Sequence, residues 1–221
     1  MRRDGFDCLL TPAASGDADA DSLYLTGHRG WVIFPESGPV TLVRDSDDEG
    51  PVSWVSAARS ADNGRWSPPV IDALRTLKVD TANIGVGRLD GVLRNSEGDV
   101  TATTLDRIRA AFPRARVVSA YEPLMRVKLV KSPEEVAVLE HATAAGERAI
   151  VAMIDSAVPG AQHKDVWLHM FAALTEATGE VPLRLAIRAG NEANTSTGGP
   201  MLEGLRAGQI MNQEIGARTL G

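Results

Sequence analysis

The sequence lacks the cysteines from which disulfide frameworks and many zinc sites are built. Its 221 residues include one cysteine, Cys8. A single cysteine excludes an intramolecular disulfide and any zinc site that needs several thiolates. We therefore predict that Cys8 is a small core hydrophobe in a reducing compartment, and we expect a cytoplasmic location.

Long apolar runs and clusters of basic residues are also missing. No stretch approaches the ~18 apolar residues that span a bilayer, and the first residues show no apolar signal region. The formal net charge is -6, whereas binding a phosphate backbone needs clustered Lys and Arg. We expect neither a membrane nor a nucleic acid among the partners.

Two patterns resemble ligand-binding motifs but lack required residues. Asp17, Asp19 and Asp21 alternate like the first carboxylates of a calcium loop, but no glycine follows at the turn and no glutamate closes the loop. A solvated acidic loop is the better interpretation. Residues 84–87 resemble a dinucleotide-binding loop, but Asp90 stands where the third glycine should be, so nucleotide binding is not expected.

The best-marked feature of the sequence is a helix start at Ser132. Its hydroxyl can accept a hydrogen bond from the N–H of Glu135, whose carboxylate can reach back to the N–H of Ser132. Pro133 occupies the first helical position, where its missing N–H costs nothing. Residues 126–131 are interpreted as an extended basic segment that leads into this helix.

The patterns on the two sides of this helix start differ, which predicts two domains, residues 1–125 and residues 126–221. In the first domain strands and helices alternate, which favours an α/β layer with a mixed sheet. Strands are predicted at residues 6–11, 31–34, 40–43, 51–55, 84–87 and 115–119. One helix is predicted to begin at Ser67 and another to cover residues 104–111.

The second domain is predicted to contain two helices followed by two strands. The helices begin at Ser132 and cover residues 162–177, and the strands cover residues 183–188 and 209–215. His163 and His169 are six residues apart, unlike the i, i+4 pair of a helical zinc motif. We interpret them as surface or internally satisfied histidines.

Several segments resemble the creatinase/prolidase, or pita-bread, family, which includes Xaa-Pro aminopeptidases, prolidases and creatinases. Residues 126–135, with the helix that runs to residue 160, are similar to the start of the family's catalytic domain. Residues 5–10 and 23–27 resemble the start of its N-terminal domain. The resemblance implies an α/β creatinase-type N-terminal domain with a mixed sheet, followed by the first part of an α+β pita-bread domain, and a homodimer.

The resemblance also implies candidate site residues. In peptidase members of the family, Asp, His and Glu side chains hold two divalent metal ions, such as Mn, Co or Zn, that activate a water molecule. Glu214, in the segment Glu-Ile-Gly-Ala, occupies the position of the first aspartate ligand. The loop at residues 190–200 lacks the histidine usual in peptidases, and Asn191 is the candidate substrate contact there.

In family members the remaining ligands and the catalytic histidines lie downstream of the segment that this chain matches. The resemblance thus implies the first part of a longer hydrolase, with no metal bound and no activity in these residues alone. The implied substrates are small peptides of the Xaa-Pro type or another small C–N compound. The alternative is a metal-free creatinase-like relative, or a diverged lyase or pseudoenzyme that serves as a binding or dimerisation module, and Glu214 fits that branch at least as well.

Overall fold

The computed structural model describes residues 1–13, 21–45, 52–90, 97–190 and 202–219. The chain divides into two compact units, Met1–Val130 and Lys131–Gly221, and each has its own buried core. None of the helices in these described ranges is long and apolar enough to cross a membrane.

The first unit is built on a six-stranded mixed sheet with the order β4-β3-β2-β1-β5-β6. β1 pairs antiparallel with β2, and β2 with β3, whereas β3–β4, β1–β5 and β5–β6 are parallel pairs. This confirms the predicted α/β domain with a mixed sheet. The strands are β1 (Cys8–Thr11), β2 (Trp31–Pro35), β3 (Thr41–Arg44), β4 (Ala57–Ser60), β5 (Asn83–Val86) and β6 (Arg116–Ser119).

The helices of the first unit follow the strands in the alternating order of an α/β fold. They are α1 (Asp21–Thr26), α2 (Ser67–Thr76), α3 (Ala102–Ala111) and α4 (Tyr121–Leu129), preceded by one short 3-10 turn, Arg2–Asp4. The core consists of apolar side chains from the central strands and from α2 and α3, including Leu10, Trp31, Ile33, Leu74, Ile84 and Ile108. Removing these side chains from water is the main force that holds the unit together.

The strand predicted at residues 51–55 is wrong over its described part, residues 52–55. These residues form a turn in which the N–H of Val55 donates to the carbonyl of Val52 at 3.1 Å, and the Trp54 side chain is largely exposed. The strand that pairs with β3 begins two residues later, at Ala57. Residues 52–55 therefore form a turn although several of their side chains favour strands, because strand preference depends strongly on the surroundings of a residue.

The extended basic segment predicted at residues 126–131 is also wrong for most of its length, because α4 continues to Leu129. Two of its basic side chains have acidic partners far back in the chain. Arg126 pairs with Asp4, and Lys128 with Asp21. Contacts with residues this distant in sequence override the local preference that the basic run suggested.

The second unit contains α5 (Pro133–Ser156), α6 (His163–Thr178), β7 (Arg184–Gly190) and β8 (Ile210–Gly216). The two strands form an antiparallel pair. Small side chains on α5, Ala145 and Ala149, are fully buried against Val166, Met170 and Leu174 of α6. Alanines at such positions allow two helices to approach closely, and the apolar side chains of the strands complete this core.

The helix start predicted at Ser132 is confirmed. The N–H of Glu135 donates to Ser132 Oγ at 3.2 Å, and the N–H of Ser132 donates to Glu135 Oε2 at 2.7 Å. Pro133 is the first helical residue. The reciprocal bonds satisfy two N–H groups that have no partner within the helix.

Replacing Ser132 with alanine should lower the free energy of unfolding of the second unit by about 1 kcal/mol, because the N–H of Glu135 loses its acceptor. Ser132→Asp keeps an acceptor oxygen and should lose much less. Urea unfolding of the whole chain, followed by circular dichroism, measures both variants. Equal losses in the two would show that the side-chain oxygen does not cap the helix.

Candidate functional site

The strand pair of the second unit has one apolar face and one polar face. Successive side chains alternate between the two faces of a strand. Leu185, Ile187, Met211 and Ile215 pack against the α5–α6 core. The alternate positions carry Arg184 and Arg188 on β7, and Asn212 and Glu214 on β8. We call these four residues the polar strand face.

Glu214 is held by a neighbour on the polar strand face. Arg184 Nε and Nη2 each lie 3.2 Å from Glu214 Oε2. Glu214 is directly opposite Ala186, so Arg184 reaches it diagonally, from two residues along β7. Both side chains are about half exposed, at 49% and 54%, so the pair contributes less than about 1 kcal/mol to stability.

Helix α6 packs on the opposite side of the strand pair and holds β7 in place. Trp167 Nε1 donates to the carbonyl of Leu185 at 3.0 Å, a backbone group of β7. The Trp167 ring also stacks on Phe171, with ring centres 5.2 Å apart. A tryptophan needs a partner for its N–H when it is part-buried, and here that partner fixes β7 against the helix.

The described residues do not by themselves build a metal site. No group of three or more His, Cys, Asp or Glu side chains is placed to hold a metal ion among residues 1–13, 21–45, 52–90, 97–190 and 202–219. The Arg184 guanidinium contacts one carboxylate oxygen of Glu214, Oε2. Asn191, the candidate substrate contact, lies outside the described residues.

The two histidines of α6 do not come together. His163 is buried at the first position of the helix, and His169 is exposed. Their separation of six residues places them on different sides of the helix, as the sequence pattern indicates. Neither lies in a group that could hold a metal ion among the described residues.

Cys8 is a structural residue. It is fully buried in β1 within the core of the first unit. Burial, with a smaller contribution from the charge of Asp7, raises the pKa of the thiol to about 12. A thiol that keeps its proton is a poor nucleophile, which agrees with the predicted role as a core hydrophobe.

Residues from the two patterns that resemble ligand-binding motifs contribute to packing in the first unit. The predicted solvated acidic loop is wrong at Asp21, which is buried, begins α1 and pairs with Lys128 at 3.0 Å. Asp17 and Asp19 lie outside the described residues. Gly87 follows β5, where a side-chain carbon would come within 2.7 Å of Leu124 and 3.1 Å of Asp21. The absence of a side chain there lets α1 and α4 approach the end of the strand.

Comparison with solved structures shows which proteins share this arrangement. The Xaa-Pro aminopeptidase of Thermotoga maritima matches 97% of the chain at 18% identity, with a TM-score of 0.71. The dipeptidase PepE of Mycobacterium ulcerans matches 99% at 21% identity, with a TM-score of 0.75. The prolidase of Pyrococcus horikoshii matches 99% at 13% identity, with a TM-score of 0.72.

The chain has the prolidase fold. The matches include both units, so they confirm the predicted α/β N-terminal domain and the opening of a pita-bread domain. The chain spans 57–59% of the length of these three structures. No protein-family model and no curated protein sequence matches the chain. At these sequence identities the likeness establishes the fold alone.

Two ion pairs were missed in the sequence. Arg184 was treated only as part of a strand, because its position diagonal to Glu214 follows from the register of β7 and β8. The pairing of Lys128 with Asp21 gave no local signal, because 107 residues separate them.

The Cys8 thiol should react slowly with iodoacetamide at pH 8.5 in the folded chain and rapidly in urea. Its folded-state pKa, about 12, lies above the ordinary value of 9.0, so the folded state keeps a proton that the unfolded state releases. The resulting stabilisation is complete below pH 9 and declines as the pH rises towards 12.

Cys8→Ala is the control for this pH dependence, because other groups also titrate above pH 9. The difference in unfolding free energy between the original chain and the variant should become smaller from pH 8 to pH 11, because only the original chain has the thiol whose stabilisation declines over this range. Fast alkylation of the folded chain, or a difference that does not change with pH, would contradict a buried, protonated thiol.

Proposed function

We propose that the chain forms the N-terminal part of a hydrolase that cleaves small peptides, of the Xaa-Pro type or with another small C–N bond. The observation that carries this proposal is the match of both units to an Xaa-Pro aminopeptidase, a dipeptidase and a prolidase over 97–99% of the chain. In this proposal residues 1–125 are the creatinase-type N-terminal domain. Residues 126–221 begin the catalytic domain.

The position of Glu214 supports a role at the edge of a hydrolytic centre. It lies on the solvent-exposed polar strand face, on a strand fixed by the α5–α6 core behind it. A site built on a strand is held more precisely than one on a loop. We propose Glu214 as a metal ligand and Asn191 as a substrate contact of the full-length protein. No hydrolytic step is assigned to the described residues.

The ion pair between Glu214 and Arg184 favours a second candidate function. Arg184 contacts one carboxylate oxygen of Glu214, Oε2, through two nitrogens, and this cation competes with a metal ion for that oxygen. The second candidate is therefore a metal-free relative of the creatinase kind, or a binding and dimerisation module. In that case Arg184, rather than a metal ion, is the partner of Glu214.

The decisive experiment uses the protein in its full natural length. Metal content is measured by plasma mass spectrometry, and cleavage of Xaa-Pro dipeptides is followed by release of the free amino acids. We expect bound Mn, Co or Zn and cleavage, with both reduced at least about tenfold in Glu214→Gln. Glu147→Gln, the same change at an exposed glutamate of α5, is the matched control and should change neither.

The two candidates give opposite results in this experiment. Absence of both metal and dipeptide cleavage would reject the peptidase. Cleavage without bound metal, or metal binding that Glu214→Gln does not change, would show that Glu214 is not a metal ligand. If Arg184→Gln alone raises the affinity for metal, the guanidinium is a competitor of the ion, as the metal-free candidate requires.

We also propose that this hydrolase is a cytoplasmic homodimer. The buried free thiol of Cys8 supports a reducing compartment, because the chain carries no disulfide that an oxidising one would favour. Analytical ultracentrifugation of the full-length protein measures the oligomeric state directly.

A further inference from the structure

The first unit contains a half-open pocket of about 260 Å³ whose walls are mainly apolar. Its apolar lining comes from Leu9, Leu25, Phe34, Leu124 and Val127. An engineered apolar cavity of roughly 150 Å³ is enough to hold benzene, so this pocket has room for a ring of that size with a short substituent. Drug-sized ligands need more space, roughly 300 Å³ or above.

The two charged side chains that line the pocket are paired with each other. Lys128 Nζ lies 3.0 Å from Asp21 Oδ1, and the two side chains are only 23% and 7% exposed. The same Lys128 ammonium lies 5.4 Å from the centre of the Tyr24 ring. Because this carboxylate and this ammonium already compensate each other, neither is available to hold an ion, and the mainly apolar walls favour an uncharged ligand.

A hydroxyl in the pocket wall has no hydrogen-bond partner. Thr11 is 1% exposed, and its Oγ1 is unpartnered within the part of the chain that the structure describes. Buried hydroxyls are nearly always hydrogen-bonded, and one without a partner is unfavourable. Thr11 lies at the end of β1 and lines the pocket, so a molecule bound there lies next to this residue.

We propose that this pocket binds a small uncharged molecule with an apolar body and one hydrogen-bonding group, such as an aromatic or branched alcohol. The apolar body fills the space between Leu25, Phe34 and Leu124, and the polar group pairs with Thr11. All of the residues that line the pocket belong to the first unit.

The test uses the full chain and four probes of similar size. Benzyl alcohol and ethylbenzene compare a hydroxyl with a methyl group, and benzylamine and benzoate carry a positive and a negative charge. Binding is followed by amide chemical shifts in nuclear magnetic resonance. Benzyl alcohol should perturb the amides of pocket residues and bind more tightly than either charged probe.

Three variants test whether binding occurs at this pocket. Val127 is 63% exposed at the pocket rim, and Val127→Trp should abolish binding without disturbing the core. Val130→Trp is the matched control, because Val130 is 78% exposed and does not line the pocket. Thr11→Val should reduce the preference for benzyl alcohol over ethylbenzene about fivefold, as expected for one lost hydrogen bond.

Any of the following outcomes would contradict the proposal. No shift with benzyl alcohol at millimolar concentration, or a shift that survives Val127→Trp, would mean that the pocket is not the site. If Thr11→Val keeps the same preference for benzyl alcohol over ethylbenzene, the hydroxyl of Thr11 does not bind the polar group of the ligand. Shifts of the pocket amides that depend on protein concentration without any probe would instead assign the pocket to contact between two copies of the chain.

Discussion

Among the polar contacts of the first unit, the ion pair between Asp21 and Lys128 sets how α1 and α4 lie against the apolar core. It joins the start of α1 to the end of α4 across 107 residues of sequence. A carboxylate as deeply buried as that of Asp21 is tolerated only when a cation or hydrogen bonds compensate it. With Lys128 in place, α4 can lie against the end of β5, where Gly87 leaves room for Leu124. The same contact forms one side of the apolar pocket.

The second unit shows how a short strand pair can present a chemically distinct face. Two closely packed helices supply an apolar surface, and alternate residues of β7 and β8 bind to it. The remaining positions are thereby directed outwards, where Arg184 and Glu214 meet. A scaffold of this kind fixes a carboxylate well. Whether that carboxylate ligates a metal ion depends on the competition between the ion and one guanidinium.

Features with a local cause could be predicted from the sequence, whereas those with a distant cause could not. The Ser132 cap, its reciprocal bond to Glu135 and the hairpin of β2 and β3 depend on residues close together in the chain. The end of α4 depends on Asp4 and Asp21, more than a hundred residues away, so the basic run before Ser132 was misread as extended. For the site, the position of Glu214 on a strand was predictable, but its pairing with Arg184 required the register of β7 and β8.

A double-mutant cycle on Asp21 and Lys128 tests the central claim most directly. The free energies of unfolding of Asp21→Asn, Lys128→Met and the double variant are compared with that of the original chain by urea denaturation. If the ion pair holds α1 and α4 together, the two changes should be coupled by about 1 kcal/mol or more. Additive losses, with a coupling near zero, would show that α4 is held by its apolar contacts alone and would contradict this account.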